Sequence, residues 1–463
     1  VKALLNTTVG DLAVICGGRL EHGDPAMAVT SLTTDSRESG PSSVYIPIKG
    51  QRFNGHDFIK ELCFSGSAAV CLTSEDICFE YENRSTAIIS CADTMRALSD
   101  IAFAHRRALP PFVIGITGTN GKTTTKELIA AVISSKYSCV KSEKNYNNEI
   151  GVPFTLLGIG AGHEYAVIEM GMNHSGEISR LSRMAQPDMT VITSVGEGHL
   201  EFLKSVENVA RAKAEIFNGA MPGSTAIINR DTKCWNILAE RASRAGMKVL
   251  TYGLAEGAVF RPSAWSLAED SLTITIENTE IKVPLFGIHN VYNSLAAVCA
   301  GMACGIELSQ IKGALENFSN IGGRGSAIDK GYLVIDDTYN ANPLSLKAAL
   351  ESAAEVYKNR RRVAALGDMM ELGENAAALH RDSGRLAAES GISELCLCGK
   401  MAEQYRAGAI AGGMAGSAVK VFSGRTELGQ YLLKSLKTGD LVLVKGSRSA
   451  GMEEIVKMLT GDK

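Results

Sequence analysis

No C-x-x-C pair occurs among the 11 cysteines, which are scattered from Cys16 to Cys398. The pattern excludes a zinc knuckle or a disulfide framework and points to a reducing compartment, the cytoplasm. No apolar run approaches the roughly 20 residues of a bilayer crossing. The longest candidate, residues 296–306, is far shorter, and Asp11 interrupts the N-terminal apolar stretch, so neither an export signal nor a membrane span is expected. Neither sign of charge is in surplus: 47 Lys and Arg against 50 Asp and Glu leave a formal charge of -3. That balance gives no general reason to hold nucleic acid or an anionic membrane, so an anionic ligand needs a local site. Fixed-period repeats and low-complexity segments are missing as well.

What is present is a soluble globular composition, 45% hydrophobic and 21% charged over 463 residues, too long for one core. Three α/β domains are expected. Residues 1–109 carry short β-rich runs at 43–48, 68–72 and 87–91 before a helical pattern at 94–107, and read as a small α/β domain. Pro110 and Pro111 then precede the apolar, β-branched run 112–117, which reads as a buried strand opening a central domain, 110–321. There, strands at 112–117, 165–170 and 189–194 alternate with helices, implying a P-loop-type, mainly parallel sheet. A second alternating series at 333–336, 362–366, 394–398, 419–422 and 440–444 predicts a Rossmann-like domain over 322–463. Cys396 and Cys398 alternate within it, so both thiols point to one face of a core.

The segment Gly115-Ile116-Thr117-Gly118-Thr119-Asn120-Gly121-Lys122-Thr123-Thr124-Thr125 joins the first central strand to an amphipathic helix over 124–135. Glycines let backbone N–H groups face phosphate oxygens, the helix N-terminus adds positive potential, and Lys122 and Thr123 can reach phosphate and magnesium. Ile116 occupies the first glycine position of the strict G-x-x-x-x-G-K-[ST] pattern, so the match lies in context rather than in the expression. ATP is favoured over GTP because no N-K-x-D guanine-reading sequence occurs.

This loop resembles the ATP loop of the Mur ligases and the related folylpolyglutamate synthetases, and further matches follow in order. They are Asn145-Tyr146-Asn147-Asn148-Glu149-Ile150-Gly151-Val152-Pro153, Glu169-Met170-Gly171-Met172-Asn173, Gly198-His199-Leu200-Glu201, Gly287-Ile288-His289-Asn290-Val291-Tyr292-Asn293 and Gly322-Gly323-Arg324. The resemblance implies ATP as co-substrate, held by Gly118, Thr119, Asn120, Gly121, Lys122, Thr123, Thr124, Asn290, Asn293, Arg324 and Asp337, with the two asparagines at the adenine and Asp337 at the ribose. It implies Mg²⁺ at Thr123, Glu169, His199 and Lys213, the lysine converted by CO₂ to a carbamate. Lys122, His199 and Arg324 are the catalytic set it implies.

Thr34-Asp35-Ser36-Arg37 and Lys49-Gly50-Gln51-Arg52-Phe53-Asn54-Gly55-His56-Asp57-Phe58 resemble the family's N-terminal signature. They imply a UDP-sugar site with Ser36, Arg37 and Lys49, although Arg37 and Lys49 read equally as surface salt-bridge partners. Asp336-Asp337-Thr338-Tyr339-Asn340-Ala341-Asn342-Pro343, Leu366-Gly367-Asp368-Met369-Met370-Glu371-Leu372-Gly373 and Val444-Lys445-Gly446-Ser447-Arg448 resemble the dipeptide-adding branch, and the D-N-P-R of the diaminopimelate-adding branch is absent. Asn147, Asn148, Asn340 and Asn342 are then substrate-binding candidates. The implied reaction joins D-alanyl-D-alanine to UDP-N-acetylmuramoyl-tripeptide through an acyl phosphate, in a monomer whose three domains close around the reactants. Another Mur or folylpolyglutamate-type ligase, and a P-loop ATPase or binding protein, stay open as alternatives.

Overall fold

The structure, a computed structural model, describes residues 2–50, 52–81, 85–319 and 322–461. Gln51 of the N-terminal signature and Ile321 at the expected second boundary lie outside the described residues.

The N-terminal sheet runs Lys2–Thr8, Ala28–Thr33, Ser43–Tyr45, Val70–Thr73, Ala87–Ser90, Arg19–His22. Its outer pairs are antiparallel and its inner pairs parallel. Helix Thr94–Ala108 begins where the Asp93 carboxylate accepts the otherwise orphaned N–H groups of Met95 and Arg96. It buries Ala97, Leu98, Ile101 and Ala102, an i, i+3, i+4 stripe, and stops ahead of Pro110.

The central sheet is wholly parallel, in the order Lys248–Tyr252, Thr225–Asn229, Met189–Ile192, Phe112–Thr117, Tyr165–Glu169, Cys139–Lys141. Phe112–Thr117 lies inside it because a run apolar on both faces is stable only with both faces covered. From that strand the chain crosses to the Cys139–Lys141 edge, returns beside it as Tyr165–Glu169, then crosses to Met189–Ile192 on its other side. The loops leaving these three neighbouring strands share one sheet edge, a topological switch point.

A three-stranded antiparallel sheet, Ala264–Leu267, Leu272–Ile276 and Thr279–Val283, was not anticipated from the sequence. Its second hairpin turns on Glu277 and Asn278, both at positive φ (46° and 65°), the primed-turn geometry usually marked by Asn-Gly. Without the glycine the signal is weak. This sheet packs with the buried helix Ile288–Ala303 and helix Lys122–Ser134 in one apolar cluster.

The C-terminal sheet runs Ser326–Asp329, Leu333–Asp337, Leu441–Lys445, Arg362–Leu366, Glu394–Cys398, Val419–Phe422, parallel except for the first strand. Separate apolar clusters cover its two faces. Cys396 and Cys398 lie together in one of them, buried and unbridged. The fold is thus α/β with three main sheets, and among the described residues no helix is long and apolar enough to cross a membrane.

Candidate active site

The site is built at the C-terminal ends of the three neighbouring central strands. Gly121 has φ +81° and caps helix Lys122–Ser134; a Cβ on it would meet Asn293 Oδ1 at 2.4 Å, and one on Gly118 would overlap Thr193 Oγ1. Only glycine allows these approaches. Thr119 N donates to Ser194 O (2.8 Å) and Asn120 N to Ser194 Oγ (2.9 Å), tying the loop to the end of the next strand. The first-turn N–H groups of Lys122, Thr123 and Thr124 have no intrahelical acceptor by the geometry of a helix start, which makes this turn an anion receptor. Lys122 Nζ curls onto Gly118 O (2.9 Å) and Thr119 O (3.4 Å).

Glu169 ends its strand in register with Ile116 and is buried, with both oxygens engaged: Thr123 Oγ1 donates to Oε2 (2.8 Å) and Asn147 Nδ2 to Oε1 (2.8 Å). Asn148 has a local task, its Oδ1 accepting Ile150 N (3.2 Å) and Gly151 N (2.8 Å) at the start of helix Gly151–Leu157.

Lys213 closes helix Val206–Lys213 and is 1% exposed. Burial holds its amine well below the ordinary lysine range, and the neighbouring Lys122 charge pushes the same way; among the described residues no carboxylate offsets them. Lys122 is itself pushed down by desolvation, with Glu169 opposing and Arg324 adding to the shift. His199, at φ +57°, is kept below its ordinary value by burial, while Glu371 works against that. Its Nδ1 lies 2.6 Å from Glu371 Oε2. Glu371 was not singled out as a site residue from the sequence, although its motif was; a carboxylate in a Gly-ended turn carried the signal.

A hydroxyl, a buried carboxylate and an imidazole fit Mg²⁺, which favours oxygen ligands and retains waters and phosphate oxygens rather than a full protein cage. Among the described residues no group of three or more His, Cys, Asp or Glu forms such a cage. A buried amine without an acid partner fits conversion to a carbamate, since the neutral form is the one that reacts with CO₂.

The C-terminal unit meets this loop directly. Asn120 Nδ2 donates to Asn342 Oδ1 (3.0 Å) and Asn342 Nδ2 to Asn120 Oδ1 (2.7 Å), while the same Asn342 caps helix Pro343–Val356 in a capping box with Ser345. Asn340 accepts Lys445 Nζ on its carbonyl (3.0 Å). Asp337 is also paired with the buried Lys445 (2.5 Å), a partner the sequence did not suggest. Arg324 stacks on the Tyr339 ring at 3.8 Å, between Gly323 and Gly325, both at positive φ. Asn290 and Asn293 are buried: Asn293 Nδ2 donates to Asn290 Oδ1 (2.8 Å), Asn293 Oδ1 accepts from Thr125 (3.1 Å), and Asn290 Nδ2 donates to Phe286 O (2.8 Å). Their amides brace the loop from behind.

The N-terminal candidates take up the salt-bridge reading. Arg37, 87% exposed, grips both oxygens of Asp35 (2.8 and 2.6 Å) and holds that carboxyl down to about 2. Lys49 pairs with Glu75 (3.1 Å). Ser36 opens the short turn Ser36–Glu38 that Asp35 caps.

Two family models match the chain, the Mur ligase middle domain over residues 116–301 and the Mur ligase, glutamate ligase domain over 323–448. The UDP-N-acetylmuramoyl-tripeptide--D-alanyl-D-alanine ligase of Bacillus subtilis (strain 168) is 35% identical over 98% of this chain and 99% of its own length. A crystal structure of MurF from Acinetobacter baumannii superposes with a TM-score of 0.89 at 28% identity, covering 99% of this chain and 100% of that one. The structure of MurF ligase from Thermotoga maritima in complex with ADP gives 0.82 at 25% identity, covering 93% and 97%. With that agreement over both units of the site and the full length, the chain belongs to the Mur ligase family, in its UDP-N-acetylmuramoyl-tripeptide--D-alanyl-D-alanine ligase branch.

Proposed function

We propose that this chain is an ATP-dependent amide ligase joining D-alanyl-D-alanine to UDP-N-acetylmuramoyl-tripeptide in cytoplasmic peptidoglycan precursor synthesis. The observation that carries the reading is the convergence of Lys122, Thr123, Glu169, His199 and the unpaired Lys213 at one sheet edge, with Asn342 and Glu371 of the C-terminal unit reaching the same place. Residues 1–109 hold the UDP-sugar through Ser36, Arg37 and Lys49, residues 110–321 hold ATP, and residues 322–463 present the incoming dipeptide.

A carboxylate is a poor electrophile because attack on it must expel oxide, so it is activated first. The tripeptide carboxylate oxygen attacks the γ-phosphorus, ADP leaves, and an acyl phosphate forms. The dipeptide amine then attacks the carbonyl carbon, phosphate departs with the C–O electron pair, and the amine proton passes to phosphate or solvent. Gly118 to Thr124 cradle the phosphates, and Lys122 and Arg324 offset charge in both steps. Asn290 and Asn293, besides bracing the loop, help bind the adenine, and Asp337 meets the ribose. Thr123, Glu169, His199 and the carbamate of Lys213 would hold Mg²⁺, which would supply Lewis-acid stabilisation of the transferring phosphoryl group. Asn147, which also orients Glu169, borders the substrate together with Asn148, Asn340 and Asn342. An α-amine has a pKa near ~8, so enough neutral amine exists without a strong dedicated base. Gly323 and Gly325 supply the hinge of a monomer that closes on its reactants; unchanged solution scattering on adding all ligands would count against closure.

The test supplies UDP-N-acetylmuramoyl-tripeptides carrying lysine or diaminopimelate, with D-alanyl-D-alanine and ATP, and scores phosphate and amide product together. Equal release of both supports the ligase; phosphate release independent of any peptide carboxylate refutes it. Intact mass under CO₂ checks Lys213, where an unmodified amine in the active enzyme would remove the carbamate.

A further inference from the structure

We propose that Glu371 is a positioning residue for His199: a carboxylate supplied by the C-terminal unit that engages Nδ1 of the imidazole and leaves Nε2 as the nitrogen facing the metal and phosphate groups. This rests on the metal-ligand reading of His199 above.

Two segments meet here, residues 198–204, which carry the short helix Leu200–Leu203, and the turn 369–373. Each holds a side-chain-bearing residue in the left-handed region, His199 at φ 57° and Glu371 at φ 62°, a conformation disfavoured for such residues that persists where surrounding structure enforces it. The enforcement is visible on both sides. Met369 N donates to His380 Nε2 (2.9 Å) and Met370 N to Ser447 Oγ (2.8 Å), while Met369 and Leu372 are buried in the C-terminal core. Across the junction, His199 O accepts Phe202 N (3.1 Å) and Leu203 N (3.0 Å), and Leu200 and Leu203 are buried.

The backbones are then stitched together, Glu201 N donating to Glu371 O (3.1 Å). Gly373, at φ +60°, permits the approach, since a Cβ there would stand 3.0 Å from Glu201 Cα. With both backbones set, the two side chains face each other at 2.6 Å between His199 Nδ1 and Glu371 Oε2. Nδ1 and Oε2 stand at ion-pair distance, although the angle leaves Nδ1 without a hydrogen bond by strict geometry, so a small rotation of the ring is all that aims Nδ1–H at the carboxylate. An imidazole committed through Nδ1 to a carboxylate presents its Nε2 lone pair elsewhere. The backbone just before His199 packs on the phosphate loop, a Cβ on Gly198 coming 2.9 Å from Thr119 Cγ2, which sets the ring beside that loop. Ring and carboxylate come from different units, so the orientation of the ring depends on how the C-terminal unit is seated.

The experiment uses the full chain with ¹⁵N-labelled histidine, in the parent, Glu371→Gln, His199→Ala and the double variant. In the parent, without nucleotide, the His199 ring is expected as the single tautomer protonated on Nδ1; Glu371→Gln turns it into a mixture. In turnover, Glu371→Gln raises half-saturating Mg²⁺ by about tenfold with KM for D-alanyl-D-alanine within about twofold, and adds nothing further in the His199→Ala background. Ring signals in Glu371→Gln that match the parent would overturn the positioning role, as would an unchanged Mg²⁺ requirement where His199→Ala shifts it. If the ring signals move but His199→Ala leaves the Mg²⁺ requirement untouched, the metal-ligand reading fails, and with it the assignment of Nε2.

Discussion

The cations of the central unit and those of the N-terminal unit are of one chemical kind and are kept in opposite ways. Arg37 and Lys49 are exposed, and each holds its own carboxylate, Asp35 or Glu75. Lys213 is buried beside Lys122, and among the described residues no acid pairs with it. An exposed pair is content in water and says little about function, whereas a buried lysine with no acid partner is driven toward its neutral amine, a perturbation that clusters at functional sites. The difference separates the two regions: the phosphate-loop site is marked by its electrostatics, whereas Arg37 and Lys49 would have to give up their internal carboxylates to hold the sugar nucleotide proposed for them.

The strongest way to break this contrast is Lys122→Ala. Removing a preorganised charge contact costs about 2.7 to 4 kcal/mol in the transition state, so turnover, measured as coupled phosphate and amide formation, is expected to fall at least about a hundredfold. Near-normal turnover would level the two sites. Next comes Gly121→Ala, which forces a Cβ onto Asn293 at φ +81°; adenine-nucleotide affinity by calorimetry should drop about tenfold, from left-handed strain of roughly 1–2 kcal/mol.

The Asn120–Asn342 amide pair sharpens the comparison, because it joins units where the N-terminal pairs do not. Each alanine variant should lose about 1 kcal/mol, and the double variant less than the sum, in a cycle read from turnover. Strict additivity would mean the two amides do not communicate.

Acid tests the site through stability. Burial holds His199 below its ordinary value of about 6.5, so the unfolded chain binds the proton first. The contribution of this ring is complete above about pH 6.5 and is lost as pH falls through its lowered folded value. Glu371, held down chiefly by His199, adds stability present above about pH 4.5 and lost as pH falls through its own lowered value. Both slopes have the same sign, and His199→Ala should flatten the acid limb of a melting-temperature profile; an identical limb would contradict it. The smallest effect is expected from Arg37→Ala, which should leave melting nearly unchanged and raise KM for the sugar nucleotide without moving KM for ATP. Unchanged KM for both would reduce Arg37 to a surface ion pair.

Strand and helix periodicity in the sequence determined the alternating α/β pattern, the parallel strands Phe112–Thr117, Arg362–Leu366, Glu394–Cys398 and Val419–Phe422, and the phosphate turn, because burial on two faces and glycine-dependent turns leave local marks. The hairpins between 264 and 283 left none, for their turn is Glu277-Asn278 rather than Asn-Gly. Partnership was decided only in three dimensions. That Asn293 braces the loop through Thr125, that Asp337 meets Lys445, and that Glu371 faces His199 are contacts between residues 108 to 172 positions apart, and no local rule of spacing carries them.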